Sequence, residues 1–265
     1  MKTIKIILLV VTTYVTSMSV YSQSSLTAKQ IQQKSIEATR IEGTEAISKM
    51  TIINKNGQQR VREMAVLTKL FDNGNTEKKL IRFTSPADVK GIGFLTYDYN
   101  VKNDDKWIYM PALRKTRRII SSENAKSFMG SEFSYADMTL PNINEYTYSL
   151  LGEETINSTA CYKIKIIPIN DDVMDANGFS TKVSYIGKSD FVLRKAVYYD
   201  LFDEKEKVME FESIVEVDKT NHKYRFKKVV MTNLQNGRKS ISEILQIKFN
   251  PSITDEYFTT RYIER

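Results

Sequence analysis

Alternation restricts this chain more than any other feature. In VMEFESIVEV, Met209, Phe211, Val215 and Val217 are interleaved with Glu210, Glu212 and Glu216. Tyr162, Ile164 and Ile166 alternate with Lys163 and Lys165, and Leu245, Ile247 and Phe249 with Gln246 and Lys248. A period of two gives each strand one dry and one wet face, the signature of an antiparallel sheet. Turn signals separate the runs: NKNG at 54–57, DNGN at 72–75, NDD at 103–105, DANG at 175–178 and QNG at 235–237. The spacing predicts about eleven strands between residues 45 and 250. No linker-like composition interrupts them, so residues 23–265 read as a single, mainly β domain.

The two ends read differently. Ser24 or Ser25 caps a helix expected to start near Leu26, with Ala28, Ile31, Ser35 and Ala38 on one face and Gly43 as its stop. Residues 251–258 read as a short helical turn. Before the domain, MKTIKIILLVVTTYVTSMSVYSQ has Lys2 and Lys5 ahead of an apolar run, Ile6–Val11, and a cleavage point near Ser22. This is the pattern of a cleaved secretory signal peptide. The apolar run is too short and too rich in hydroxyls for a spanning helix, which needs roughly 20 apolar residues. Loss of Lys2 and Lys5 with residues 1–22 would lower the net charge from +7 to +5. Exported strands also raise the reading of an integral outer-membrane barrel, but the dense Lys and Glu on the wet faces favour a water-facing surface.

Catalytic and metal chemistry find little purchase. Cys161 is the only cysteine and His222 the only histidine, so a multi-histidine metal site and an intramolecular disulfide are both excluded. Cys161 lies in a strand-like run and reads as a small packed thiol. DDVMDANG at 171–178 puts Val173 and Ser184 where a calcium loop needs ligands, so it reads as a hairpin turn. The KGIGF glycines lack the context of a phosphate loop. No cofactor and no enzymatic activity are expected.

Three blocks are recognisable: IRFTSPADVKGIGFLTYDY, KWIYMPALRKTRRI and KSFMGSEFSYADM, with ITDEYFTTRYIER at the end. Together they resemble the LolA-like outer-membrane lipoprotein-sorting protein family, with departures at Glu132 and Ala136. The resemblance implies an incomplete, strongly curved antiparallel β-barrel whose open side is covered by helices. It also implies a periplasmic carrier that shelters acyl chains of a lipoprotein or lipid in an apolar cavity. The expected partners are a lipoprotein-releasing or RND-type transporter, with transient membrane contact by a monomer and no nucleic acid. The reading from a different class is an exported, non-enzymatic β-sheet module that binds within an envelope complex.

Within these blocks, Phe94, Leu95, Trp107, Tyr109 and Met110 are the expected cavity wall, though ordinary core packing is the simpler reading of each. Strand parity places Trp107 and Tyr109 on one face and Met110 on the other. Phe128, Met129 and Phe133 surround Gly130 and Ser131 in a segment read either as a movable flap or as a fixed connection. Arg114, Lys115, Arg117 and Arg118 look like one patch, but as a strand they split by parity. Arg114 and Arg118 then face one way, Lys115 and Arg117 the other. With Asp137 they are the candidates for headgroup or partner contact, or for bracing the cavity mouth.

Overall fold

A computed structural model describes residues 26–100 and 102–265; the expected signal peptide lies outside the described residues. Helix α1 (Ala28–Thr39) is followed by β1 (Gly43–Ile53), β2 (Gln59–Phe71), β3 (Thr76–Ser85), β4 (Gly93–Tyr99), β5 (Asp105–Met110) and β6 (Lys115–Ile119). The second half contains β7 (Tyr146–Ile156), β8 (Thr159–Pro168), α2 (Asp171–Asn177), β9 (Thr181–Gly187), β10 (Leu193–Tyr199), β11 (Lys205–Asp218), β12 (Lys223–Asn233), β13 (Lys239–Phe249) and α3 (Thr260–Ile263).

All thirteen strands form one antiparallel sheet in the order β6-β5-β4-β3-β2-β1-β13-β12-β11-β10-β9-β8-β7. Two meanders are joined by the β1–β13 pair, which runs from Thr44 opposite Phe249 to Ile53 opposite Lys239. The sheet is strongly curved and does not close. Its edges, β6 and β7, are consecutive in the chain, so the connection 120–145 must pass from one edge to the other.

Two strands more than expected are present because several turns lack glycine. Asn157 and Ser158 both have positive φ (45° and 64°) in the two-residue β7–β8 hairpin, the backbone that tight hairpins require. Asp203 and His222 take left-handed backbone in the β10–β11 and β11–β12 turns. DANG, expected to be a hairpin turn, instead ends α2: Asn170 caps its start, and Gly178, at φ 72°, caps its end.

The start of α1 is set by Thr27, whose side chain forms a capping box with Gln30. The expected caps Ser24 and Ser25 lie outside the described residues. Its buried stripe is Ala28, Ile31, Gln32, Ser35, Ile36 and Thr39. Gly43 is not the helix stop but the first residue of β1. A Cβ there would stand 2.1 Å from the Asn250 carbonyl oxygen, so close strand approach is what requires glycine. No described helix is long and apolar enough to cross a membrane.

The sheet has apolar side chains on both faces. On the inner face Met50, Met64, Ile81, Phe83, Phe94 and Ile108 pack around Phe128. On the outer face Leu80 and Leu95 are covered by Ile253, Phe258 and Ile263 of the C-terminal segment. Gly93 allows that cover to seat, since a Cβ there would meet Ile263 Cβ at 3.0 Å.

Candidate functional site

The inner face encloses a cavity of about 580 Å³, within the range of roughly 300–1,000 Å³ typical of small-molecule sites. Met50, Met64, Val66 and Ile81 line it from β1–β3, and Met209, Phe211, Phe226 and Val229 from β11 and β12. Phe179, Leu193 and Tyr198 form a third wall. These strands reach the cavity because alternate residues point inward, which is the period-two signal realised in three dimensions. Unbranched, polarizable methionine lets such a wall adapt to irregular shapes.

The connection 120–145 lies across this interior. Fully buried Phe128 sits against Phe94, Tyr135 and Phe83, with ring centroids 5.0, 5.7 and 6.1 Å away. Phe133 inserts on the opposite side, among Ala196, Met209, Phe211 and Met231. Both line the cavity. The tip between them is tied down. Glu132 pairs with Arg238 at 3.0 Å, accepts from Asn233 Nδ2 at 3.0 Å, and its N–H donates to Ser240 Oγ at 2.9 Å. Arg62 donates to the Met129 carbonyl, and Arg238 to that of Gly130 at 2.8 Å. Farther on, Lys79 Nζ donates to the Met138 carbonyl at 2.7 Å, and Leu140 N–H to Asp98 at 2.7 Å.

The other sequence candidates disperse. Phe94 stands behind Phe128 in the inner core, and Met129 packs against the same cluster. Leu95, Trp107 and Tyr109, expected on the cavity wall, lie on the outer face under the C-terminal segment. Their parity is fixed by register: Leu95 pairs with Trp107, and Phe94 with Ile108. Met110 takes the parity of inward-facing Ile108 but lies outside the cavity lining.

Among the cations, Arg114 is not in a strand at all. It occupies a left-handed turn position, φ 48°, between β5 and β6. Lys115 is exposed at the start of β6. Arg117 pairs with Glu123 at 2.6 Å, and Arg118 with Asp105. Their acids are therefore not Glu132 or Asp137. One Asp137 oxygen accepts from Ser134 N and Ser134 Oγ, each at 2.8 Å, while the other accepts from Tyr198 Oη at 3.3 Å. Asp137 lines the cavity.

Sequence reasoning missed a buried charge cluster on this face. Glu77 of β3 and Asp98 of β4 are opposite each other in register, and both are buried. Arg40, just past α1, lies 3.5 Å from Asp98, and Arg225 of β12 lies 3.7 Å from Glu77. Burial pushes the Asp98 carboxyl up to about 7, with Asp104 and Glu77 adding repulsion, while the Leu140 N–H and Arg40 work against them. The signal was present in an acid at an inward parity position of both strands, an exception to the dry-face rule.

Cys161 is buried, and burial pushes its thiol up, away from thiolate. His222 is exposed, beside Glu216 at 2.8 Å. Among the described residues no group of His, Cys, Asp and Glu is arranged to hold a metal.

A family model described as "Uncharacterized protein" matches residues 75–265. No curated protein matches the chain. Solved structures do. A domain from Vibrio parahaemolyticus, named for outer membrane lipoprotein sorting, is 25% identical with a TM-score of 0.82, over 90% of this chain and 98% of its own. A DUF1329 family protein from Desulfovibrio piger is 25% identical with a TM-score of 0.81, over 89% and 97%. A LolA superfamily protein from Nitrosomonas europaea shares the fold at 20% identity and a TM-score of 0.68, over 90% and 100%.

Proposed function

We infer that this chain, which belongs to the family whose model matches residues 75–265 and is similar in fold to an outer membrane lipoprotein-sorting domain and a LolA superfamily protein, is a periplasmic carrier of acyl chains. The observation that carries the inference is the apolar cavity on the inner face. Each acyl methylene taken out of water contributes about 0.8 kcal/mol. A chain of ordinary length therefore leaves a membrane slowly unless a protein offers it an equivalent apolar surface. The walls formed by Met64, Met209, Phe211 and Val229 offer such a surface, with Phe128 and Phe133 supplied by the connection between the sheet edges. The carrier makes and breaks no covalent bond. It works between envelope components as a monomer, touching the membrane transiently and receiving or delivering cargo at a lipoprotein-releasing or RND-type transporter.

A second reading, an exported binding module, draws on β7. That edge strand exposes Leu150 and Leu151 and, among the described residues, has no strand paired along one side, as in partners that add a strand. Organic extraction of the purified protein, with mass spectrometry of the extract, separates the two. Stoichiometric acyl lipid, together with protection of an added acyl probe from water, supports carriage. Neither in repeated preparations would leave the binding module as the better reading.

A further inference from the structure

Among the described residues, one cation of the cavity wall is shielded from solvent on part of its surface yet has neither an acceptor nor a carboxylate within reach. Lys79 donates to the Met138 carbonyl, Lys106 pairs with Asp104 at 3.1 Å, and Arg225 faces Glu77 and the Thr39 carbonyl. Lys102 is exposed, over the Tyr99 ring. Lys182 of β9 is half-buried in the wall. Among the described residues its ammonium has no hydrogen-bond acceptor and no carboxylate at ion-pair distance. Its neighbours are the rings of Phe179 and Tyr198, with centroids 5.6 and 5.4 Å from Nζ. Burial lowers its pKa, and the charge of Asp137 partly restores it. Asp137 itself is already occupied by Ser134 and Tyr198. An ammonium held in an apolar wall without a partner is costly unless a ligand completes it.

We propose that the cavity takes an acyl chain ending in an oxyanion, a carboxylate or a phosphate, and that Lys182 meets that oxyanion. This deepens the carrier reading and rests on it. The apolar walls receive the chain, while the Phe179 and Tyr198 rings, 5.6 and 5.4 Å from Nζ, lower the local dielectric and so strengthen the ion pair. Selectivity for anionic over neutral amphiphiles follows from the same geometry, because a neutral head would leave the ammonium uncompensated.

The experiment compares palmitic acid, lysophosphatidic acid and 1-hexadecanol at pH 8, each displacing a neutral fluorescent acyl probe. The proteins are the full chain, Lys182→Met and Lys182→Arg. An anionic ligand should bind the unaltered chain about tenfold or more tighter than the alcohol, the size of one charge-assisted hydrogen bond. Lys182→Met should reduce that preference to about twofold or less, with the alcohol still bound at least as tightly, the sign of an intact cavity, and Lys182→Arg should restore it. A gain for the fatty acid alone assigns a carboxylate, and for the lysolipid alone a phosphate. No anionic preference in the unaltered chain, or one that survives in Lys182→Met, overturns the assignment to Lys182. Failure of all three ligands, the alcohol included, overturns the carrier reading along with it.

Discussion

Asp98 ties the stability of the inner face to pH. Its ordinary value is 3.8, and in the folded protein burial beside Glu77 and Asp104 moves it to about 7. The folded state thus keeps a proton that the unfolded chain has already lost. The sign follows from linkage: stability from this group is fully present below about pH 4 and is lost as pH rises through 7. From pH 5 to pH 8 the loss covers about two pH units at roughly 1.4 kcal/mol each, or about 2.5 kcal/mol. Asp98→Asn removes the titration but can still accept from the Leu140 N–H. Urea titrations of both proteins at pH 5 and pH 8 isolate the difference. With a slope of about 2–3 kcal/mol per molar, the unaltered chain should lose about 1 M more in midpoint than the variant between the two pH values. Equal pH dependence in both proteins would refute the argument. Arg40, paired with the carboxylate, would then hold Asp98 ionised throughout.

Three further outcomes are expected. Phe128→Ala should destabilise the protein by about 3–5 kcal/mol, measured by chemical denaturation, because a fully buried ring is lost from a cluster that the sheet cannot collapse upon. Glu132→Ala should cost about 2 kcal/mol, since it strands Asn233 and frees Arg238 from the tip of the connection. Proteolysis within 126–134 should accelerate in the same variant. Ala46→Trp, which projects an indole into the cavity from β1, should weaken acyl-probe binding more than about tenfold. Its melting temperature should stay within a few degrees, since the new side chain enters open space rather than packed core.

The sheet was legible in the sequence because period two and glycine turns are local signals. Where a turn was built from Asn157 and Ser158 instead, the strand boundary was invisible. Parity separated Trp107 from Met110, yet could not say which side was the cavity. That choice depends on where the C-terminal residues Ile253, Phe258 and Ile263 fold back, a contact between distant parts of the chain. The basic run was misleading for a related reason. Parity holds only inside a strand, and Arg114 sits in a left-handed turn. Phe128 and Phe133 were recognisable as a pair around Gly130, but their anchor, Glu132 on Arg238, joins positions more than 100 residues apart. Lys182 gave no sequence signal at all. A lysine at an inward position stands out only once the sheet's curvature defines an inside.

Trp107 offers a simple control on the same geometry. It packs edge-on to Tyr97, with centroids 5.0 Å apart, beneath the C-terminal segment. Its fluorescence should respond to removal of residues 251–265 and stay unchanged when the cavity fills.

Photo-crosslinking tests the central claim most directly. A fatty acid with a diazirine near its methyl end, irradiated with the full chain and mapped by peptide mass spectrometry, should label inner-face positions around Met64–Val66 and Met209–Phe211. Labelling confined to the outer face around Trp107, Tyr109 and Phe258, or adducts that an excess of unlabelled fatty acid does not suppress, would contradict an acyl-binding cavity on the inner face.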